Sequence, residues 1–259
     1  MSIRRLILMV VVGLCCLPHL CVSQEISVAA AADLQFAMQD IAGRFQKETG
    51  KTVKPIYGSS GNFLQQIQNG APFDIFFSAN LDYPNKLEAA GLTEPGSYYQ
   101  YARGKIVIWI PSDSKLDLSS GMKVLLDPSV KKIAIANPQH APYGQAAVAA
   151  LQRENIYDKI KDKFVLGENI SQTASFVVSG AADVGIVALS LAVSPNMKGK
   201  GRYIEIPVGE YPPIEQACVI LRSSKNKEAA REFLSFVKTP AMADVLRSYG
   251  FEVQAGSAK

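Results

Sequence analysis

The chain is poor in the residues that staple or arm a small protein. Of its 259 residues only four are cysteine, two are histidine and one is tryptophan. Cys15, Cys16 and Cys21 crowd the N-terminus, which leaves Cys218 alone in the body of the chain. One cysteine makes no internal disulfide, so the fold must stand on its apolar core. Cys218 lies in the run Ala217-Cys218-Val219-Ile220-Leu221, where a buried small hydrophobe is expected. Past the N-terminal segment His140 is the sole histidine, which argues against histidine-rich metal sites and His-centred triads with a backup base. Charge of one sign is also scarce. The formal net charge is +4, and about +2 without Arg4 and Arg5. Nucleic-acid binding calls for a basic patch or stripe, and this chain offers none.

Long apolar runs are missing too, apart from Leu6 to Cys16. That run is too short to span a bilayer, which takes about 20 residues. Preceded by Arg4 and Arg5 and followed by small residues at Cys21-Val22-Ser23, it reads as an export signal. Residues 1–23 are therefore expected to be a signal peptide cleaved near Gln24, which places the mature protein in the periplasm. A lipid anchor on Cys21 is the alternative, although Pro18-His19-Leu20 lacks the small pair of a lipobox. The remaining length, about 236 residues, suits two medium domains or one large one.

What is present is a regular alternation of strands and helices, the signature of an α/β fold with largely parallel sheets. Ile26 to Ala31 reads as a buried strand. Leu34, Ala37, Met38, Ile41, Ala42 and Phe45 follow at helical spacing, with Asp33 in the N-cap position and Gly50 as the stop. Strands are expected over Val53–Tyr57, Asp74–Ala79, Lys105–Ile110, Val184–Leu189 and Ala217–Leu221. Closing helices are expected over Lys227–Val237 and Ala241–Tyr249.

Four strand-to-helix junctions stand out: Ala32-Asp33, Ser59-Ser60-Gly61, Pro142-Tyr143-Gly144 and Asn169-Ile170-Ser171. The first N–H groups of a helix have no intrahelical partner, and the helix dipole favours an anion there. Several such ends meeting at one point would hold an oxyanion without a cationic side chain. Every α/β protein has such junctions and most bind nothing, so the pattern alone leaves both readings open.

The wording of the loops adds a second signal. The segments Val28-Ala29-Ala30-Ala31-Ala32-Asp33-Leu34, Gly58-Ser59-Ser60-Gly61 and Gly70-Ala71-Pro72-Phe73-Asp74-Ile75-Phe76-Phe77-Ser78-Ala79 occur in that order. They are followed by Asn137-Pro138-Gln139-His140-Ala141-Pro142-Tyr143-Gly144, Ser179-Gly180-Ala181-Ala182-Asp183-Val184-Gly185-Ile186-Val187-Ala188 and Tyr249-Gly250-Phe251. Together they resemble the periplasmic molybdate-binding proteins of ABC transporters, over nearly the whole mature chain. The resemblance implies a periplasmic-binding-protein type II fold: two α/β lobes with mixed sheets joined by a two-strand hinge. Lobe 1 would be 24–104 plus 215–259, and lobe 2 would be 105–214. It further implies a monomer, with no cofactor and no catalysis, that captures molybdate or tungstate and delivers it to a membrane permease.

The resemblance also implies roles for residues. Ser60 matches a serine that gives both hydroxyl and N–H to the anion, whereas Tyr143 and Ile170 match donors of backbone N–H alone, with side chains free to vary. Asp33 falls where many members carry serine or asparagine, and Ala188 where some carry a tyrosine that reaches the ligand. Ala32 and Ser59 are second-tier candidates, the Ser59 hydroxyl being expected to cap its helix. These donors would hold the oxygens of the anion; none would coordinate molybdenum itself. Asp33 is the departure that matters. A carboxylate about 4 Å from a dianion is repelled by roughly 8 kcal/mol at an effective dielectric near 20. Its side chain is expected to turn away and cap the following helix through Gln35 or Phe36 N–H. The alternatives are a protonated carboxyl or a protonated ligand such as phosphate. Rival functions are a binding protein of the same architecture for sulfate, phosphate or a metal, and a hydrolase built on Asp74, Asp183 and Glu215.

Overall fold

The computed structural model describes residues 25–253; the expected signal peptide and the start at Gln24 lie outside them. β1 (Glu25–Ala31) leads through one tight turn, Ala32–Leu34, into α1 (Gln35–Thr49). Then come β2 (Thr52–Gly58), α2 (Ser60–Gln68), β3 (Ile75–Ser78), α3 (Asp82–Ala89) and β4 (Tyr99–Gly104). The chain passes into β5 (Ile106–Pro111), β6 (Ile133–Ala136), α4 (Pro142–Arg153), α5 (Tyr157–Ile160), β7 (Phe164–Gly167) and α6 (Ile170–Val178). It continues as β8 (Val184–Ala188), α7 (Leu189–Ala192) and β9 (Gly201–Glu205), and ends with β10 (Ile214–Ile220), α8 (Lys227–Val237) and α9 (Pro240–Ser248).

Two five-stranded mixed sheets result, ordered β2-β1-β3-β10-β4 and β7-β6-β8-β5-β9. Their pairings repeat one another. β1 is parallel to β2 and β3 as β6 is to β7 and β8, while β10 and β5 each run antiparallel to both neighbours. Half the pairings are thus antiparallel, more than the alternation of elements suggested. The chain crosses between the sheets at Lys105 and again after β9, returning as β10. Near the first crossing Lys105 Nζ meets Glu252 Oε1 at 3.0 Å and Glu205 Oε2 at 3.5 Å.

The cores follow from strand alternation and helical stripes. Ile26, Val28 and Ala30 on one face of β1 pack with the stripe Ala37, Met38, Ile41 and Phe45 and with α8 and α9; Ala29 on the other face joins Phe63, Phe76 and Leu87. Gly50 closes α1 at φ 73°, a left-handed conformation that suits glycine. Cys218 is fully buried, as its neighbours implied. β4 and β9 lack a signal in the chain. Both are edge strands, and β9 leaves most of Gly-Arg-Tyr-Ile-Glu open to water, so neither shows the apolar pattern that marks a strand.

Phe45 holds α1 to α8, its ring lying 5.1 Å from Phe233 and 5.4 Å from Phe236, edge to face. Phe45→Ala should destabilise the protein by about 3–5 kcal/mol, read from urea unfolding followed by circular dichroism. A loss under about 1 kcal/mol would mean this contact does not anchor the lobe.

Candidate functional site

The carboxyl ends of β1 and β2 in one sheet face those of β6 and β7 in the other, and each feeds a helix. A small cavity lies between them, lined by Ala32, Asp33, Ser59, Ser60, Tyr143 and Ile170 among others. All six residues singled out in the loops therefore meet, and none is more than 4% exposed. Among the described residues no lysine or arginine lines the cavity. Larger clefts exist elsewhere, one bounded by Pro111, Lys115, Asp127 and Asp183, but they are open grooves.

Local capping decides which N–H groups remain available. In α6 the Asn169 side chain accepts from Ser171 and Gln172 N–H, both at 3.0 Å, which leaves the N–H of Ile170. In α2 Gly61 N–H donates to the His140 carbonyl at 3.0 Å, which leaves that of Ser60. α4 starts on Pro142, which has no N–H, so Tyr143 carries the first one. Among the described residues these three N–H groups are engaged neither by their helix nor by a cap. The Ser60 hydroxyl accepts from Ala79 N–H at 3.0 Å, so its own hydrogen is left to point elsewhere.

Three expectations about side chains need correction. Ser59 occupies the N-cap position of α2 but does not cap it. Its hydroxyl donates across the cleft to the His140 carbonyl and sits 3.0 Å from His140 Nδ1. Asp33 does not cap α1, whose N-cap is Leu34. Because Ala32–Leu34 forms its own turn, the Asp33 carboxyl swings into the interface, where Oδ2 accepts from Tyr143 Oη at 2.8 Å and Gln216 Nε2 at 2.7 Å. Tyr143 accordingly has more than a backbone role, since its hydroxyl is buried and joins the two lobes. Ala188 is buried at the end of β8; two residues on, Ser190 Oγ donates to the Asp33 carbonyl at 2.8 Å.

The network reaches further than the loops indicated. Tyr101 Oη donates to Gln216 Oε1 at 2.7 Å, which orients the amide so that its Nε2 faces Asp33. Gln216 carries no such signal in the chain: it follows Glu215 at the head of the apolar run Ala217–Leu221, and only the fold buries it. Gly104 is required beside it, because a Cβ there would stand 2.0 Å from Tyr143 Oη. Burial pushes the Asp33 pKa from 3.8 up to about 6, and the hydrogen bonds from Gln216 and Tyr143, with the nearby backbone N–H groups of Asp33 and Leu34, pull it back only in part. Oδ1 is buried and has no hydrogen-bond partner. At the mouth Asn62 Nδ2 donates to Glu168 Oε1 at 2.5 Å, and Ser171 Oγ to Gln35 Oε1 at 2.5 Å. The carboxylates of the hydrolase alternative do not meet there. Asp74 accepts from Ser27 N–H and Ser224 Oγ, Asp183 from Lys131 and Lys132 N–H, and Glu215 pairs with Arg103.

Comparison with known proteins places this geometry in context. The model of a family described as bacterial extracellular solute-binding protein matches residues 26–252. The molybdate-binding protein ModA of Azotobacter vinelandii is 38% identical over 98% of this chain and 99% of its own. Its namesake in Rhodobacter capsulatus is 36% identical over 88% of each. The solved periplasmic molybdate-binding protein of Azotobacter vinelandii superposes with a TM-score of 0.84 at 36% identity, covering 89% of this chain and all of that one.

Because the Tyr143 hydroxyl is one of two donors to a buried carboxyl, Tyr143→Phe should weaken oxyanion binding by about 1–3 kcal/mol. Titration calorimetry reads this directly, and an unchanged affinity would return Tyr143 to a backbone role.

Proposed function

The chain belongs to the bacterial extracellular solute-binding proteins, and from that premise we propose that it captures molybdate or tungstate between its lobes and hands it to the permease of an ABC importer. The observation that carries the reading is the convergence of four helix starts, two from each sheet, on one cavity that no cationic side chain lines. Asp33, Ser60, Tyr143 and Ile170 are the proposed donors, with Ala32 and Ser59 beside them. Ser60, Tyr143 and Ile170 donate backbone N–H from the first turn of a helix, where a dianion is favoured, Asp33 offers its own N–H, and the Ser60 hydroxyl adds a fifth hydrogen. The tetrahedral anion needs donors from both lobes, so binding favours the closed form. The export signal and the resemblance both support a periplasmic carrier, working as a monomer and without catalysis. The two lobes are proposed as 24–104 plus 215–259 and 105–214. A second reading, a protonated oxyanion such as phosphate, is favoured by the presence of Asp33 alone.

Titration calorimetry against molybdate, tungstate, sulfate and phosphate tests the reading. Molybdate or tungstate at 100 times its dissociation constant should stabilise the protein by about 2.7 kcal/mol, visible as a raised melting temperature, while sulfate does little. A melting curve unmoved by the whole panel would end the proposal, and a preference for phosphate would select the second reading. Within the site, Ser60→Ala should weaken molybdate binding by roughly 1.5–3 kcal/mol. It should do more harm than Ser59→Ala, since the Ser59 hydroxyl is spent on His140. Equal losses in the two variants would mean that Ser60 does not touch the anion.

A further inference from the structure

The hydrogen-bond network around Asp33 leaves one atom unaccounted for. Oδ2 receives two hydrogens, from Tyr143 Oη and Gln216 Nε2. Their direction is set by the surroundings. Tyr101 Oη donates to Gln216 Oε1 at 2.7 Å, the shorter of its two contacts, the other being the Ser78 carbonyl at 3.3 Å, and Nε2 is the amide atom turned to Asp33. The same Nε2 lies 3.1 Å from Tyr143 Oη, which therefore receives a hydrogen there and gives its own to Oδ2. Oδ2 is thus the accepting oxygen of the carboxyl. Oδ1 is buried without a partner, in a residue that lines the cavity. The first-turn N–H groups of Ser60, Tyr143 and Ile170 in the same wall are hydrogen-bond donors.

We propose that Asp33 Oδ1 bears a hydrogen in the closed complex and donates it to an oxygen of the captured dianion, so that the site takes up one proton from solvent with each molybdate. The proposal rests on the oxyanion reading above. It gives the carboxyl a role that a serine hydroxyl or an asparagine amide would fill at the same place, a neutral donor. It also adds one donor to the backbone N–H groups of the cavity. A ligand that brings its own hydrogen, such as hydrogen phosphate, finds no acceptor in Oδ1, and a preference for a full dianion follows from the chemistry of that atom.

The surroundings agree. The titratable groups nearest Asp33 are the phenols of Tyr143 and Tyr101 and the buried thiol of Cys218. The charged residues of the same elements are turned elsewhere: Glu215 pairs with Arg103, Lys54 with Glu25, Asp40 with Arg44 and Arg153 with Glu210. His140 is bonded to Ser59 and not to Asp33. Among the described residues no cationic side chain lines the cavity to hold a carboxylate in its charged form. Burial has already raised the Asp33 pKa to about 6, and a dianion beside it raises it further. Between those two values the complex holds one more proton than the free protein, so affinity must fall as pH rises.

The test is molybdate titration of the whole mature protein from about pH 5.5 to about pH 9, in pairs of buffers with different ionisation enthalpies. Near pH 8 the wild type should absorb close to one proton per molybdate. Its dissociation constant should rise about tenfold per pH unit above about pH 7 and flatten below about pH 6. Asp33→Asn places an amide donor where the carboxyl hydrogen stood and keeps a carbonyl for Tyr143 and Gln216. It should bind with a pH-independent affinity close to the wild-type value at low pH, and absorb no proton. Wild-type affinity that is the same at about pH 6 and pH 9 would overturn the proposal, even if the variant did not fold. A pH slope that persists unchanged in Asp33→Asn would overturn it too, by assigning the proton to another group. Failure of the wild type to bind molybdate at any pH would instead remove the oxyanion reading on which this one rests.

Discussion

The pair of hydrogen bonds that Asp33 Oδ2 accepts is the contact on which the closed arrangement turns. One donor, Gln216, sits on β10, the strand that returns the chain to the first sheet; the other, Tyr143, opens α4 of the second. A turn of one lobe, the returning strand and a helix of the other are thereby held at one buried point. A buried polar group left without its partner forfeits about 1–3 kcal/mol, so the lobes cannot slide past one another without leaving one of these groups unpaired. The neighbourhood is built around that demand. Gly104 omits a side chain so that the tyrosine hydroxyl can stand where a Cβ would be, and Tyr101 fixes the orientation of the glutamine amide.

The rest of the cleft repeats the theme with weaker contacts. Gly61 lets α2 approach the His140 carbonyl, since an added Cβ would lie 2.6 Å from that oxygen. Ser59, Asn62 and Gln35 each meet a group of the opposite lobe. These contacts also consume the polar groups that flank the cavity. What they leave unspent, the first-turn N–H groups of Ser60, Tyr143 and Ile170, is the part of the backbone that suits an anion. An absence of cations is then no defect. A site made of fixed dipoles holds a dianion and still releases it, and the two sheets supply those dipoles from equivalent strands, β1 and β2 in one and β6 and β7 in the other.

Much of this could be read from the chain. The stripe from Leu34 to Phe45 is a period-3.6 pattern, and all its members are buried. Three of the four loops carried glycine, serine or proline at helix starts, and all four gather at one cavity because the ends of parallel strands lie side by side wherever the sheets face each other. Backbone donors are legible in this way because a helix start is a local event, set by the cap, the proline and the first apolar turn.

Side-chain roles across the cleft were not legible. The chain shows Asp33 before a helix, where a cap is the local optimum, and Ser59 in the same position before another. Both side chains instead bond to groups more than 80 residues away. The sequence by itself determined the alternation of strand and helix, the apolar faces, and which loops could offer N–H groups to an anion, since each depends on neighbours along the chain. Only the tertiary structure decided that Asp33 would face Tyr143 and Gln216, that Gln216 would belong to the site at all, and that one carboxyl oxygen would be left without a partner. A side chain with two possible hydrogen-bond partners takes the set that leaves fewest buried groups unpaired, and that set exists only once the lobes have met.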